Sequence, residues 1–184
     1  MIMSVAEFRR FVETDETDES LEAKLHALEL SIRAYTNNNF QIRALRAVAV
    51  AMSEGNVLLC GSAVPFKAGD TLQISESDLM QDELVTVTSI EKGTVAVNED
   101  IEDESGVVVT KVKYPQDVKM GVVNLMKWEL DNREKVGIAS ETISRHSVTY
   151  FDQSAANTVM GYPVALLGFL KPYKRARFGR GIRA

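Results

Sequence analysis

Hydrophobic residues in this chain change period twice, and those two changes confine the fold more tightly than anything else in it. Up to about residue 40 they recur at helical spacing. Leu21, Leu25, Leu28, Ile32 and Tyr35 step by four, three, four and three, one stripe along one helix. From about residue 41 the spacing drops to two, with Val48, Val50 and Met52 alternating. After Pro115 helical spacing returns through Val118, Val122, Leu125, Met126 and Leu130, with Trp128 beside that face. Helices with one apolar stripe must bury it against a neighbour. The order therefore predicts an α+β chain, a helical bundle of four or so helices with a small antiparallel β-barrel or sandwich module inserted in it. The expected divisions are 1–40 and 115–170 for the discontinuous bundle, 41–114 for the β module and 171–184 for a basic C-terminal arm.

Local signals agree with that division. Ser4-Val5-Ala6-Glu7 has capping-box spacing, and Val5, Phe8, Phe11 and Val12 fall on one face of the short helix it opens. Asp15 and Asp18 supply caps and favourable charge for the second helix, and Asn37-Asn38-Asn39 ends it. An antiparallel pair of helices is expected. In the β segment, Glu54-Gly55-Asn56, Phe66 to Asp70 and Glu91-Lys92-Gly93 read as turns between short strands rich in Val, Thr and Ile. Val107 to Tyr114 supplies a last strand, making five or six in all. Beyond the third helix, Ser144 to Phe151 reads as extended. Gly161-Tyr162-Pro163 reads as the start of a helix through Val164, Leu166, Leu167 and Leu170, stopped by Pro172.

Composition narrows the function classes. With 45% apolar residues the chain can bury a core, and no apolar run approaches the roughly 18–20 residues that cross a bilayer. MIMSVAEFRR does not lead into the apolar region of a secretory signal. The single cysteine, Cys60, forms no disulfide framework and no cysteine-based zinc cage, which points to a reducing compartment. Catalytic patterns are thin. His26 borders the apolar stripe of the second helix and reads as a boundary residue. His146, with Ser140, Glu141, Ser144, Ser147 and Asp152 near it in sequence, lacks the nucleophile elbow that would make a serine–histidine–aspartate reading specific. Cys60 with His146 is weaker, because an isolated strand cysteine behaves as a small hydrophobe. The acids Glu99, Asp100, Glu102, Asp103 and Glu104 do not follow a calcium-loop spacing, and Gly61 and Gly69 are turn glycines rather than a phosphate loop. The expectation is a non-enzyme with no catalytic, cofactor or metal site.

The C-terminal fourteen residues stand apart. Lys171, Lys174, Arg175, Arg177, Arg180 and Arg183 are six cations with no acid among them. Without those six, 15 Lys and Arg stand against 26 Asp and Glu, a formal charge of −11. Such a segment has little apolar surface to bury and is expected to stay mobile until it meets something negative. Four of the six are arginines, suited to planar recognition of carboxylate or phosphate. Tyr173 and Phe178 interleave with these charges, so the rings can pack into a partner while the cations pair. The expected docking residues are Pro172, Tyr173, Lys174, Arg175, Arg177, Phe178, Arg180 and Arg183.

Four features, in this order, give the chain a family likeness. The N-terminal pair of helices is separated by an acidic linker and ends in Tyr35-Thr36-Asn37. The run Gly137-Ile138-Ala139-Ser140-Glu141-Thr142-Ile143 leads to Ser147-Val148-Thr149-Tyr150. Gly161-Tyr162-Pro163 precedes an apolar stretch, and the ending is Leu170-Lys171-Pro172-Tyr173-Lys174-Arg175. In these the chain resembles the head-tail connector (adaptor) proteins of long-tailed bacteriophages. The resemblance implies a structural virion protein, present in the host cytoplasm during assembly and then at the head-tail interface. It implies a homo-oligomeric ring of about twelve copies under the portal vertex, closed by head-to-tail contacts. The portal protein would take the C-terminal arm, tail-side or head-completion proteins would sit below, and DNA would pass through the channel without sequence-specific binding. The segment 41–114 departs from the shortest, all-helical members. The alternative reading is a nucleic-acid-binding module built from an OB-like or SH3-like barrel and a basic arm.

Overall fold

Six strands close into an antiparallel barrel where the period-two segment lies. The computed structural model describes residues 1–52, 54–60, 65–80, 82–132, 140–143, 146–149 and 157–176, with only the backbone described for 140–143 and 146–149. The barrel strands are β1 Gln41–Met52, β2 Asn56–Leu59, β3 Thr71–Ser75, β4 Leu84–Glu91, β5 Thr94–Val97 and β6 Glu104–Val112. Their order around the barrel is β1-β2-β5-β4-β3-β6, every neighbouring pair being antiparallel. Closure leaves no free edge, which removes the aggregation hazard of an open sheet. Lys92 and Gly93 form the two-residue turn between Glu91 and Thr94, with φ of 45° and 89°, the twist that tight hairpins favour.

Alternation along the strands sorts side chains between the two faces. Leu72, Ile74, Val85, Val87, Val95, Val97, Val107 and Val109 point into the core, with Phe66, Met80 and Ile101 filling it from the connections. On β1 the interior set is Ala49 and Ala51, whereas Val48 and Met52 stand 50% and 42% exposed. Small side chains on one strand offset the branched ones opposite, as the limited interior of a small barrel requires. This barrel unit comprises Met1–Ile2 and Asn39–Tyr114.

The second unit comprises Met3–Asn38 and Pro115–Ala184. Its helix α1 is a single turn, Val5–Phe8, in which the Ser4 hydroxyl accepts from the Glu7 amide at 3.1 Å. The Glu7 carboxylate takes the Lys119 ammonium at 3.1 Å. Helix α2 spans Asp18–Thr36 and is capped by Thr17, whose hydroxyl accepts from the Ser20 amide at 3.3 Å. Asp18 instead pairs with Arg9 at 2.7 Å. Leu21, Leu25, Leu28 and Ile32 are buried, and so are Glu29 and Arg33, one helical turn apart. Helix α3, Gln116–Asn132, buries Val118, Val122, Val123, Leu125 and Met126. Strands β7 (Ser140–Ile143) and β8 (His146–Thr149) pair as a hairpin, as do β9 (Thr158–Val159) and β10 (Tyr162–Pro163). A 3₁₀ helix, Val164–Tyr173, follows and buries Leu167 and Leu170.

These elements correct the expected fold class. The chain is a closed six-stranded antiparallel barrel with a few helices, and a helical bundle carrying an inserted barrel is not what forms. Among the described residues, the only α-helices of more than three turns are α2, with 19 residues, and α3, with 17. α1 has four residues, too few to lay a stripe along a partner. The fourth element is 3₁₀, whose eclipsed side chains at every third position make no continuous α-helical ridge. Gly161 does not open that helix. Met160 and Gly161 have φ of 59° and 82° and make the turn of the β9–β10 hairpin. Pro172 does not end it either, since the helix runs one residue past it, to Tyr173.

The 3₁₀ helix sits closely on α3. At Gly121 an added Cβ would stand 2.4 Å from the ring of Phe169, so this contact exists only because residue 121 has no side chain.

Candidate functional site at the C-terminal segment

The end of α2 has carbonyls that no further helical turn can pair and a partial negative charge, as every helix C-terminus does. Here Asn37 adopts the left-handed conformation, φ 49°, and turns the chain away. Residues 173–176 lie across that end. The Arg175 amide donates to the Thr36 carbonyl at 2.8 Å. Asn38 Nδ2 donates to the Tyr173 carbonyl at 3.1 Å, and Asn37 Nδ2 donates to the Ala176 carbonyl at 3.0 Å. Lys174 places its ammonium 3.7 Å from the centre of the Tyr35 ring, a cation–π contact. Tyr173 donates its phenolic hydrogen to the Asp117 carboxylate, 2.8 Å from either oxygen. That hydrogen bond raises the Tyr173 pKa, with desolvation and the Asp117 charge adding in the same direction.

Of the residues expected to dock, Tyr173, Lys174 and Arg175 are therefore placed at the α2 terminus of their own unit, and Pro172 lies within the 3₁₀ helix. Lys171, Pro172, Lys174 and Arg175 are exposed, and Tyr173 is half-buried. Arg177, Phe178, Arg180 and Arg183 lie outside the described residues. The anchors Asp117, Asn37 and Asn38 were not legible as such. The asparagine triplet reads from sequence as a helix stop, and nothing in Pro115-Gln116-Asp117 announces a partner for Tyr173. The one available hint was the surplus of asparagines, since one left-handed residue suffices to end a helix.

Among the described side chains, the remaining chemistry-bearing residues do not assemble. Cys60 and His26 are exposed, Cys60 in the barrel unit and His26 in the other. Ser140 and Glu141 lie on β7 and His146 and Ser147 on β8, while Ser144, Arg145 and Asp152 fall outside the described residues. In the acidic loop, Asp100 accepts from the Glu54 amide at 2.9 Å. Glu104 accepts from the Ser77 hydroxyl and, at 2.8 Å, from the Asp78 amide. The Ser77 hydrogen bond, followed by that of Asp78, lowers the Glu104 pKa against a weaker opposing desolvation. These carboxylates thus shape their own loops. Among the described residues no three His, Cys, Asp or Glu side chains converge as a metal site requires.

Comparison of the chain with protein-family models and with curated proteins finds no match.

Proposed function

We propose that the chain is a head-tail connector of a long-tailed bacteriophage, a ring-forming structural protein that docks on the portal and continues the DNA channel toward the tail. The observation that carries this reading is the segregation of charge. An acidic chain ends in a cationic run whose first residues are held at a fixed base, the α2 terminus, while Lys171, Lys174 and Arg175 stay exposed. The ordered motifs described from the sequence supply the family. An anchored base shortens the distance a terminal arm must search, and the arginines beyond it can pair with carboxylates of an acidic portal surface. Head-to-tail contacts between copies then close by rotation into a ring. An acidic body repels the DNA phosphates that pass through the channel.

Co-sedimentation with portal-containing heads tests the reading. The intact chain is expected to bind heads, with affinity falling as salt rises. Deleting residues 177–184 leaves the Tyr173–Ala176 anchors in place and is expected to abolish binding while the subunit stays folded. Equal binding by the truncated chain would refute the docking role. Failure of the intact chain on heads, together with salt-dependent binding to duplex DNA, would favour a nucleic-acid-binding module instead.

A further inference from the structure

On the outside of the barrel, a cleft of about 380 Å³ opens where β1 leaves regular pairing with β6. The register shifts between Gln41, opposite Val112, and Arg46, opposite Thr110. Arg43, inside that irregular stretch, lines the cleft together with Arg46. Glu76 and Asp82 line it as well. Although two guanidinium groups and two carboxylates share one concavity, none of the four forms an ion pair with a described residue. An exposed ion pair is worth only about 0–1 kcal/mol, so holding these charges apart costs little and keeps all four available to a ligand.

The backbone around the cleft carries its own signal. Glu76 and Asp82 both adopt the left-handed conformation, with φ of 57° and 64°, and so does Phe40, φ 52°, between the lining residues Asn39 and Gln41. That geometry is unfavourable for residues with a side chain, and such residues concentrate where a site must be held in shape. The support is buried and polar. Gln73, fully buried, accepts from Gln41 Nε2 at 3.1 Å and donates to Asp82 Oδ1 at 2.5 Å. This chain fixes one carboxylate oxygen and leaves the other for a ligand. Thr110, only 4% exposed, lines the wall, and its hydroxyl makes no hydrogen bond to a described residue.

We infer that this cleft binds a short zwitterionic ligand of the amino-acid or peptide class, its carboxylate on Arg43 and Arg46 and its ammonium on Glu76 and Asp82. Two features decide the class. Among the described residues no aromatic ring lines the cleft, so they offer no stacking platform of the kind nucleobases use. The two carboxylates would repel a polyanion such as a phosphodiester chain, whereas one molecule carrying both signs satisfies both pairs. The inference rests on the barrel alone and stands or falls independently of portal docking.

Triglycine is the probe, titrated into the intact chain and followed by backbone amide shifts. Saturable shifts are expected at residues 41–46, 75–76, 82 and 108–110, with a Kd near 1 mM, roughly −4 kcal/mol. N-acetyl-triglycine and triglycine amide, each lacking one charge, are expected to bind at least about tenfold more weakly. The exposed substitutions Arg43→Gln and Glu76→Gln are each expected to weaken triglycine by a similar factor, with unchanged amide dispersion elsewhere. Absence of saturable shifts at about 20 mM triglycine would overturn the inference. Equal affinity for a singly charged analogue would also overturn it, reducing the cleft to a site for one ion.

Discussion

Replacing Gly121 with alanine tests how the second unit is packed, because two opposing effects predict opposite signs. In an unconstrained helix interior, glycine to alanine stabilises by about 1 kcal/mol. At this position the new Cβ would lie 2.4 Å from Cε2 and Cζ and 2.5 Å from Cδ2 of Phe169. Carbon atoms rest at roughly 3.5–4.0 Å, so three ring atoms are overlapped by about 1 Å or more. A planar ring cannot bend away. It must swing out, exposing apolar surface, or push the 3₁₀ helix off α3. Overpacking of this kind costs about 1–3 kcal/mol, and involvement of three atoms puts this case in the upper half. Offsetting the propensity gain leaves a net loss of about 1–2 kcal/mol. Urea unfolding followed by fluorescence of Trp128, which lies on α3 with its ring 5.6 Å from that of Tyr162, reads the change. The midpoint should fall with an unchanged slope. Phe169→Ala should make the same substitution stabilising by up to about 1 kcal/mol, giving a coupling of about 2–3 kcal/mol in the double-mutant cycle. A more stable Gly121→Ala single variant would refute the packing argument outright.

Two further outcomes follow from hydrogen bonds and a third from core burial. Tyr173 holds its proton more tightly in the folded state, so its contribution to stability is complete below its ordinary pKa of 10.0 and is lost as pH rises through the raised folded value. Phenolate absorbance should show Tyr173 titrating late, and Asp117→Asn should move that midpoint back toward 10.0. The shift of Glu104 runs the other way. Its contribution is present above the ordinary value of 4.5 and is lost as pH falls through the lowered folded value, so Glu104→Gln should flatten the acid side of a melting-temperature profile. Leu25→Ala, at a fully buried position of the α2 stripe, should cost about 2–5 kcal/mol in urea unfolding.

Local order was largely legible, and long-range choices were not. The stripe Leu21, Leu25, Leu28, Ile32 and Tyr35 predicted a buried helical face because its spacing is dictated by the backbone, and the first four are buried while Tyr35 is half-buried. Strand positions followed from runs of Val, Thr and Ile bounded by turn residues. Which face of β1 turns inward did not, since alternation fixes a period and not a direction. Hydrophobicity favours Val48 and Met52, and the limited space favours Ala49 and Ala51. The expectation of a bundle failed because an apolar run after Gly161 and before Pro172 fits α and 3₁₀ equally well in outline. The contact of Phe169 with Gly121, forty-eight positions earlier, joins residues that no local pattern links. At the C-terminal segment the cations were obvious in composition. Their anchorage depends on Asn37, Asn38 and Asp117, whose partners lie 139, 135 and 56 positions away and carry no local signature.

The connector reading is tested most directly by cross-linking mass spectrometry on portal-containing heads reconstituted with the purified chain. Lys171 and Lys174 are exposed, and each is expected to cross-link to acidic-surface residues of the portal, alongside head-to-tail cross-links between copies of this chain. Heads that acquire no cross-link from either lysine, while the chain remains folded and in excess, would contradict the account.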